Sequence, residues 1–349
     1  MTEPTETGPI GIALIGAGMI AKTHIRALGA MQDIADLKAI VSRNPDKARP
    51  LAEFYDGPPP AFTADLAAIA NDPSVEIAIV ATPPNVRKAV IEPLVRAGKH
   101  ILLEKPVART VQEACEIAEI CERAGVTLGV LFQHRVRAPS RAAARLVAGG
   151  TLGALGLVEI SVPLWRDQSY YDELGRGTYD RDGGGVMITN AVHSIDLALS
   201  LTGPVTRVQA MTATTPLHQM EAEDLAVSGL EFACGAVGTF VASTAMFPHR
   251  TEVIRLHHEN ASLKIDKNGL EVSWRDGRVQ TEAQAAQAGP VRPLTGNHEW
   301  HGAVIRDFVE SVRSGGKPLV TAREALRSHR VIEAIHLSSQ SGSSVNVDL

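Results

Sequence analysis

The chain has 349 residues, which is too long for one ordinary hydrophobic core and favours two domains. Its 34 Lys and Arg against 39 Asp and Glu give a formal net charge of -5, which favours neither nucleic acid nor an anionic membrane as a partner. No apolar stretch is long enough to span a bilayer, and the 3 cysteines form no CxxC pair or zinc-like spacing, so we expect a cytoplasmic protein.

The first part of the chain alternates two kinds of apolar pattern. Residues 1–9 are polar and acidic and predict a mobile tail. From residue 10 to residue 133, short apolar runs such as IGIALIG alternate with amphipathic ones such as MIAKTHIRALGAM. Strands buried on both faces and joined by crossover helices form parallel sheets, so residues 10–133 are predicted to form a doubly wound α/β domain.

The order of the predicted helices and strands changes in residues 134–349. A helix (RAAARLVAG), a strand (LGLVEISVPLW) and a second helix, predicted to begin near Gly184 or Gly185, precede a series of strands without intervening helices. This order predicts an α+β domain with a large, mainly antiparallel open sheet. A polar loop at about 282–297 then leads to two helices, and the apolar stripe of the first, HGAVIRDFVESVRSG, must dock on another element.

The first strand is followed at once by the sequence Gly16-Ala17-Gly18-Met19-Ile20-Ala21, which opens a helix. In such a GxGxxA turn the first glycine permits the tight turn, and the second lets the backbone approach a pyrophosphate at the helix N-terminus. In this strand-turn-helix context the turn predicts a bound dinucleotide, and a merely tight turn is the alternative.

The end of the second strand distinguishes NAD from NADP, since a carboxylate there bonds the ribose 2′-hydroxyl and repels a 2′-phosphate. Here the strand ends with Ser42 and Arg43, with Lys47 one turn further on, and no carboxylate occupies the position. These side chains suit a phosphate and predict NADP(H), with NAD(H) possible. The alternative is that Arg43 and Lys47 are solvated residues at a helix start.

Lys105 ends the apolar strand HILLEK and precedes a proline, at the sheet edge where open α/β sheets bind ligands. Taken alone, it would be a surface lysine. Together, however, GxGxxA, ATPP at 81–84, EKP at 104–106 and GGGxxxxxxxHxxD from Gly183 resemble the glucose-fructose oxidoreductase/inositol dehydrogenase (Gfo/Idh/MocA) family in order and spacing. The resemblance implies a Rossmann domain followed by an α/β domain whose open sheet makes oligomer contacts, hence a homodimer or homotetramer.

The resemblance also implies roles for individual residues. Lys105 would hydrogen-bond the reacting hydroxyl, and His193 would exchange its proton; without the other motifs His193 would be a core histidine bonded to Asp196. The residues assigned to the cofactor are Gly16, Gly18, Met19, Ile20, Ser42, Arg43, Lys47, Thr82, Pro83, Glu104 and Lys105. The glycines at 183–185 are expected to clear space beside the nicotinamide.

Two positions depart from the family pattern. Thr189 stands where many members have an aspartate, and a threonine cannot act as a base at neutral pH. His193 would therefore carry the proton alone, oriented by Asp196. Arg87 stands where the motif after the fourth strand has a histidine, and a solvated residue at a helix start is the default interpretation.

The segment Trp165 to Gly185 holds three of the 4 tyrosines and leads into the helix that carries His193. A loop so rich in Arg, Tyr and Asp is a candidate sugar-binding lid, and Arg166 or Arg176 would suit a carboxylate. The residues assigned to the substrate are Arg166, Tyr170, Tyr171, Thr189, Asn190 and His193. Gln133, His134 and Arg135 are further candidates, and the pattern HEWH at 298–301 favours capping and packing over a metal site.

These residues lead to one function and one alternative. The first is an NADP(H)-dependent oxidoreductase acting on a hydroxyl-bearing carbon of a sugar, polyol or sugar acid, without a metal. The second is a catalytically silent regulatory protein that senses the cofactor on the same fold. A silent protein has little reason to keep both Lys105 and His193, which favours the enzyme.

Overall fold

The structure is a computed structural model that describes residues 8–283 and 298–348. Most of the predicted tail and most of the predicted polar loop lie outside the described residues. Among those described, residues 8–107, 115–133 and 298–322 form one compact unit, and residues 108–114, 134–283 and 323–348 form a second.

The described elements comprise strands and helices of very different lengths. The strands are β1 Ile10–Ile15, β2 Ala35–Val41, β3 Ala61–Thr63, β4 Ile77–Val80, β5 His100–Glu104, β6 Leu128–Leu131, β7 Leu155–Pro163, β8 Val205–Ala213, β9 Leu225–Phe232, β10 Val237–Ser243, β11 Val253–His258, β12 Ala261–Asp266, β13 Gly269–Trp274, β14 Val279–Ala283 and β15 Val345–Asn346. The α-helices are α1 Ala21–Gly29, α2 Pro45–Ala48, α3 Leu66–Asn71, α4 Arg87–Arg96, α5 Val111–Ala124, α6 Ala138–Ala148, α7 Gln168–Tyr171, α8 Val192–Thr202, α9 His298–Ser314 and α10 Ala322–Ser341.

The first unit is built on a six-stranded sheet with the order β3-β2-β1-β4-β5-β6, in which every pair is parallel. This is the strand order of doubly wound dinucleotide-binding domains. Every residue of β1 and of β4 is buried, as expected of strands covered on both faces. The parallel Rossmann sheet is thus confirmed, although β3 escaped prediction because it has only three residues beside a proline-rich stretch.

Helix α9 packs on the first unit, against α1 and the strands β5 and β6. Its predicted apolar stripe is buried, including Val304, Ile305, Phe308 and Val309. The Phe308 ring fills the space beside Gly129, where a Cβ atom would lie 2.6 Å from Cδ2 of that ring. The compact units therefore do not follow a single cut at residue 133, because the docking face of α9 lies in the first unit.

The second unit contains a nine-stranded sheet with the order β14-β13-β12-β11-β7-β10-β9-β8-β15. Only β7 and β10 pair in parallel among its described strands, so the predicted, mainly antiparallel sheet is confirmed. Helices α6 and α8 pack against this sheet. Along β9 and β10, buried side chains alternate with more exposed ones, so the exposed set forms an outer face.

None of the described helices combines the length and the apolar composition that a bilayer-spanning helix needs.

Candidate functional site

The glycine-rich turn joins β1 to α1 at the carboxyl edge of the parallel sheet. Gly16 has a φ of +117°, and a Cβ atom on it would lie 2.9 Å from the carbonyl of Ala81. Only glycine fits there, because both the conformation and the close approach to β4 exclude a side chain. At Gly18, by contrast, an added Cβ would meet no described protein atom within 4 Å, and the Met19 side chain beside it is 54% exposed.

Thr82 lies at the same sheet edge, directly after β4. Its side-chain oxygen is buried and has no hydrogen-bond partner among the described residues. A buried hydroxyl normally has a partner, and a ligand with polar groups would supply one. Together with the open space at Gly18 and the start of α1, this hydroxyl fits a dinucleotide at the carboxyl edge of the sheet.

The end of β2 presents a basic rather than an acidic surface. Ser42 directly follows β2; its amide donates to the Thr63 carbonyl, and its hydroxyl makes turn contacts of 3.3 Å with the backbone of Asn44. Arg43 and Lys47 are exposed, and neither makes a side-chain ion pair with the described residues. This geometry is compatible with a 2′-phosphate ligand and equally with two solvated cations.

Arg87 differs from the sequence-based expectation of a solvated residue, since it is only 3% exposed. Its guanidinium donates to the carbonyl of Thr82 at 3.0 Å, to that of Glu104 at 2.6 Å and to that of Val107 at 3.4 Å. Burial lowers the pKa of Arg87 to about 10, although the charge of Glu104 opposes the shift. The long side chain is buried because it joins the loop after β4 to the loop after β5 through their carbonyls.

The Glu104 side chain, which the motif assigned to the cofactor, lies in a buried pair with His24. His24 Nε2 lies 2.8 Å from Oε1 of Glu104, and His301 Nε2 lies 3.7 Å from the same oxygen. Burial raises the pKa of this carboxyl, but the His24 hydrogen bond and the charges of His24, His301 and Lys105 outweigh burial and lower it to about 2.

The side chains of His24, Glu104 and His301 each offer an atom that could bind a metal ion, and these three atoms lie within 4.8 Å of one another. Two ligands of a tetrahedral zinc ion would be roughly 3.3 Å apart. The 2.8 Å contact between His24 and Glu104 is therefore a hydrogen bond rather than a ligand pair. His301 of the HEWH pattern packs edge-on against the His24 ring, with centroids 5.3 Å apart.

Lys105 directly follows Glu104 and is half-buried. A cis peptide bond joins it to Pro106. The carbonyls of Glu104 and Val107, on either side of this dipeptide, are the two that Arg87 holds. The backbone that presents Lys105 is thus tied to the loop of Thr82.

In the second unit, the glycines that precede the helix of His193 pack against protein backbone. A Cβ atom on Gly183 would lie 2.5 Å from Cα of Arg109, and one on Gly185 would lie 1.7 Å from the carbonyl oxygen of Glu223. The expectation that these glycines clear space for the nicotinamide is therefore corrected for Gly183 and Gly185, because other segments of the chain occupy that space.

The Glu223 side chain caps the start of this helix. Its carboxylate accepts the amides of Gly185 and Met187 at 3.1 Å each, and His336 lies 3.7 Å from it. Burial raises the pKa of Glu223, although the charge of His336 and the amide donors oppose the shift. The carboxylate satisfies amides that a helix start leaves without intrahelical partners.

The predicted α-helix begins with a π-helical turn over Met187–Ala191 and continues as α8. Thr189 and Asn190 lie in this π-turn, where the Thr189 hydroxyl donates to the Gly185 carbonyl at 2.6 Å and its oxygen lies 2.9 Å from Oδ1 of Asn190. π-Turns inside helices are frequent at functional sites. The turn therefore brings two predicted substrate residues together.

His193 is 8% exposed, and its ring stacks on that of His134 with centroids 4.4 Å apart and an interplanar angle of 17°. Asp196 was expected to orient His193, but its two carboxylate oxygens accept from Arg135 at 2.8 and 2.7 Å. This is a correction: a guanidinium neutralises a buried carboxylate with two parallel hydrogen bonds, which a histidine cannot match. Burial raises the pKa of Asp196, and Arg135 opposes that shift.

The loop from Trp165 is held by buried polar contacts. The Arg166 amide donates to the Thr244 carbonyl, and the Arg166 carbonyl lies 2.9 Å from Nε2 of His218. His218 Nδ1 lies 2.7 Å from the fully buried carboxylate of Asp224. Neither His218 nor Asp224 was singled out from sequence, because nothing in the spacing indicates that they meet the loop.

The predicted substrate residues of this loop cluster around one ring. The guanidinium carbons of Arg166 and Arg176 lie 5.0 and 5.1 Å from the centroid of the Tyr170 ring. The Tyr171 hydroxyl lies 2.6 Å from that of Thr244. Burial raises the pKa of Tyr171 to about 12, although the Thr244 contact opposes the shift. Tyr171 thus contacts Thr244, which follows β10, and the Tyr170 ring contacts the guanidinium groups of Arg166 and Arg176.

Known proteins resemble the chain over both units. Residues 10–132 match the model of an oxidoreductase family with an NAD-binding Rossmann fold, and residues 140–264 match the GFO/IDH/MocA C-terminal domain. The chain is 24% identical to D-apiose dehydrogenase of Paraburkholderia graminis, over 96% of this chain and 89% of that protein. It is 27% identical to D-xylose 1-dehydrogenase (NADP(+)) 2 of Haloferax volcanii, over 95% and 98%.

Among solved structures, the WlbA dehydrogenase of Bordetella pertussis in complex with NADH and UDP-GlcNAcA superposes with a TM-score of 0.82. It is 27% identical and covers 98% of this chain and 99% of its own. Two family models together span most of both units, and the strand order agrees with the expected domains. The chain therefore belongs to the Gfo/Idh/MocA oxidoreductase family.

Proposed function

We propose that this protein is an oxidoreductase that moves a hydride between NADP(H) and a hydroxyl-bearing carbon of a sugar, polyol or sugar acid. The observation that carries the proposal is that Lys105 and His193, the two proton-handling residues of the family motifs, are both present. Arg87 holds the carbonyls on either side of the Lys105–Pro106 dipeptide, and the His193 ring stacks on that of His134. The similar proteins named as sugar dehydrogenases support the same class of substrate.

The chemistry divides between the cofactor and this chain. When bound, the nicotinamide supplies the hydride acceptor or donor. The Lys105 ammonium donates a hydrogen bond to the reacting oxygen and stabilises negative charge on it. His193, a residue type that titrates near neutrality, takes the hydroxyl proton during oxidation. Thr189 and Asn190 bind neighbouring hydroxyls of the substrate.

The activity is tested with purified protein, NADP+ or NAD+, and a panel of aldoses, inositols and uronic acids. We expect turnover on at least one of them, and a loss of at least about a hundredfold in kcat for Lys105→Ala and for His193→Ala. Arg123→Ala, an exposed substitution on α5, serves as the control. Cofactor binding without turnover on any member of the panel would overturn the proposal that the protein is an enzyme and would favour the catalytically silent regulatory protein.

The cofactor preference rests on the end of β2. Arg43 and Lys47 are exposed cations without a carboxylate among their described contacts, and no acidic residue stands where it would repel a 2′-phosphate. A charge-assisted hydrogen bond to phosphate contributes about 1.5–3 kcal/mol, which corresponds to roughly ten- to a hundredfold in affinity. We therefore propose NADP(H) as the preferred cofactor and NAD(H) as the weaker one.

The preference is measured as the ratio of kcat/KM for NADP+ to that for NAD+. Arg43→Ala is expected to lower kcat/KM for NADP+ by at least about tenfold and to leave that for NAD+ unchanged. Arg96→Ala, an exposed arginine on α4, should change neither. A wild-type protein that prefers NAD+, with no response to Arg43→Ala, contradicts the proposal.

Arg166 favours the sugar acids within this substrate class. Its Nε atom is buried and has no hydrogen-bond partner among the described residues, and its guanidinium carbon lies 5.0 Å from the centroid of the Tyr170 ring. Its backbone is fixed at both the amide and the carbonyl by Thr244 and His218. A buried guanidinium nitrogen is stabilised by a hydrogen bond to an anionic partner, and a substrate carboxylate supplies one.

The carboxylate specificity is tested by comparing a uronic acid with the aldose that lacks only the carboxylate. Arg166→Gln is expected to raise KM for the uronic acid at least about tenfold while the aldose is unaffected. The aldose acts as an internal control for folding. Equal effects on both substrates would remove Arg166 as the carboxylate partner.

A further inference from the structure

His134 and His193 form a buried stacked pair in the second unit. The rings are nearly parallel, at 17°, with centroids 4.4 Å apart, and both residues are 8% exposed. His134 lies in the short helical turn Gln133–Val136 before α6, and His193 lies at the start of α8. A close, nearly parallel contact between the two rings restricts the plane in which His193 presents its nitrogens.

The hydrogen bonds of His134 determine its tautomer. An Arg137 guanidinium nitrogen lies 2.5 Å from Nε2 of His134. A guanidinium has only donors and keeps its protons in proteins, so Nε2 must be the acceptor and cannot carry a proton. The ring proton is then on Nδ1, which lies 3.8 Å from the carboxylate of Glu252.

Arg137 is itself held by the same carboxylate. Its second terminal nitrogen lies 2.6 Å from Oε1 of Glu252, so the His134, Arg137 and Glu252 side chains form one set of contacts. To protonate His134 on Nε2, the protein would have to break the Arg137 contact and place two cations side by side. The set therefore keeps His134 neutral.

A second buried ion pair lies one turn further along α8. Asp196, one turn beyond His193, binds Arg135 through both oxygens, and Arg135 also lies 3.7 Å from Glu324. Two ion pairs among the described residues therefore neighbour the stacked pair, Arg137 with Glu252 and Arg135 with Asp196. Each is a cation matched by a carboxylate.

We propose that His134 is a positioning residue for His193. Arg137 keeps His134 neutral, and the His134 ring fixes the plane of the His193 ring. His193 is then the one protonation site of the pair. The catalytic part of this proposal rests on the proposed function, in which His193 exchanges the substrate proton. A neutral neighbour allows His193 to accept that proton without like-charge repulsion.

The tautomer is tested on the full chain by NMR with ¹⁵N-labelled histidine. We expect His134 to show the Nδ1–H tautomer and no protonation between pH 5 and 9, while His193 titrates. In Arg137→Met, His134 should become titratable, and the pKa of His193 should fall by at least about half a unit because two adjacent cations repel. Arg145→Met, an exposed position on α6, is the control.

The positioning role is tested by kinetics. His134→Phe keeps a flat ring and should retain kcat within about threefold, whereas His134→Ala should lower kcat at least about tenfold with little change in KM. An Nε2–H tautomer of His134 in the wild-type protein, or a His134→Ala variant with the wild-type kcat and pH profile, overturns the proposal. NMR needs no substrate, so a missing enzymatic activity would refute the proposed function while the tautomer of His134 is still decided.

Discussion

At the scale of single residues, two buried charges have roles that their neighbours in sequence do not indicate. Arg87 is a cation with carbonyl partners, and Glu104 is an anion with histidine partners. Glu104 directly precedes Lys105, and Arg87 binds the carbonyls of Glu104 and Val107 on either side of the Lys105–Pro106 dipeptide. Their effects can be separated, because Arg87 acts on the backbone and Glu104 acts through a titrating side chain.

The Arg87→Met substitution leaves three carbonyl groups without their donor. We expect it to lower the free energy of unfolding by about 1–3 kcal/mol in urea denaturation, and to weaken NADPH binding in a fluorescence titration. Lys88→Met is the matched control, because Lys88 is the next residue of α4 and its side chain is about half exposed. Unchanged stability and affinity in Arg87→Met would show that the carbonyls find other donors.

The Glu104→Gln substitution tests the lowered pKa of this carboxyl. The folded pKa of about 2 lies below the ordinary value of 4.5, so the unfolded chain takes up the proton first as pH falls. The stabilisation is therefore complete above about pH 4.5 and is lost between pH 4.5 and 2, and it amounts to about 3 kcal/mol at neutral pH.

Urea denaturation at a series of pH values measures this effect. The wild-type protein should lose stability more steeply across that window than Glu104→Gln does. Glu53→Gln, at an exposed position, should follow the wild type. Parallel curves for the wild type and Glu104→Gln would mean that Glu104 does not carry the acid sensitivity.

At the scale of elements, the start of the His193 helix depends on a contact between backbones. Gly185 lies so close to Glu223 that a methyl group would overlap its carbonyl oxygen, at 1.7 Å. The Glu223 carboxylate also caps the helix start. The π-turn with Thr189 and Asn190 follows directly, so a shift at Gly185 moves these side chains too.

Gly185→Ala is therefore expected to lower the free energy of unfolding by about 1–3 kcal/mol, measured by urea denaturation, and to lower kcat. Gly156→Ala is the matched control, because its Cβ would meet only the carbonyl oxygen of His257 at an ordinary 3.7 Å. If Gly185→Ala were as stable as Gly156→Ala, the helix start would have to be more adaptable than this contact implies.

At the scale of the whole molecule, the outer face of the nine-stranded sheet has an apolar patch. Met211, Val227 and Val241 are neighbours across β8, β9 and β10, and the first two are 57% and 37% exposed. Leu157 and Val237 are paired further along the same sheet and are 38% and 51% exposed. Contiguous exposed apolar residues are typical of an interface, and we expect a homodimer or homotetramer through this face.

Val227→Lys is expected to shift the protein toward monomer in light scattering at micromolar concentration, because a desolvated charge opposes association. Leu217→Lys is the control, since Leu217 is 59% exposed but lies in the loop between β8 and β9. A wild-type protein that is monomeric at this concentration refutes the expected oligomer.

Local patterns in the sequence were sufficient to predict the fold class and the position of the glycine-rich turn. Continuous apolar runs separated by amphipathic ones predict a parallel sheet, and strands in series predict an antiparallel one, because both depend on local periodicity. The strands β3, β14 and β15 were missed, because three and two residues carry too little periodicity in β3 and β15, and the sequence VQTEA of β14 is mostly polar. The docking of α9 on α1 was also not predicted, because an apolar stripe indicates that a helix face is buried but not which element covers it.

The pairing of the charged side chains, by contrast, depends on contacts between segments that are distant in sequence. Local spacing favoured Asp196 as the partner of His193, but Arg135, which is distant in sequence, binds that carboxylate and His134 stacks on His193. In the same way Arg87 is buried because carbonyls from two separate loops surround it. Long-range ion pairs and hydrogen bonds depend on which segments the fold brings within about 3 Å, and no local pattern encodes that distance.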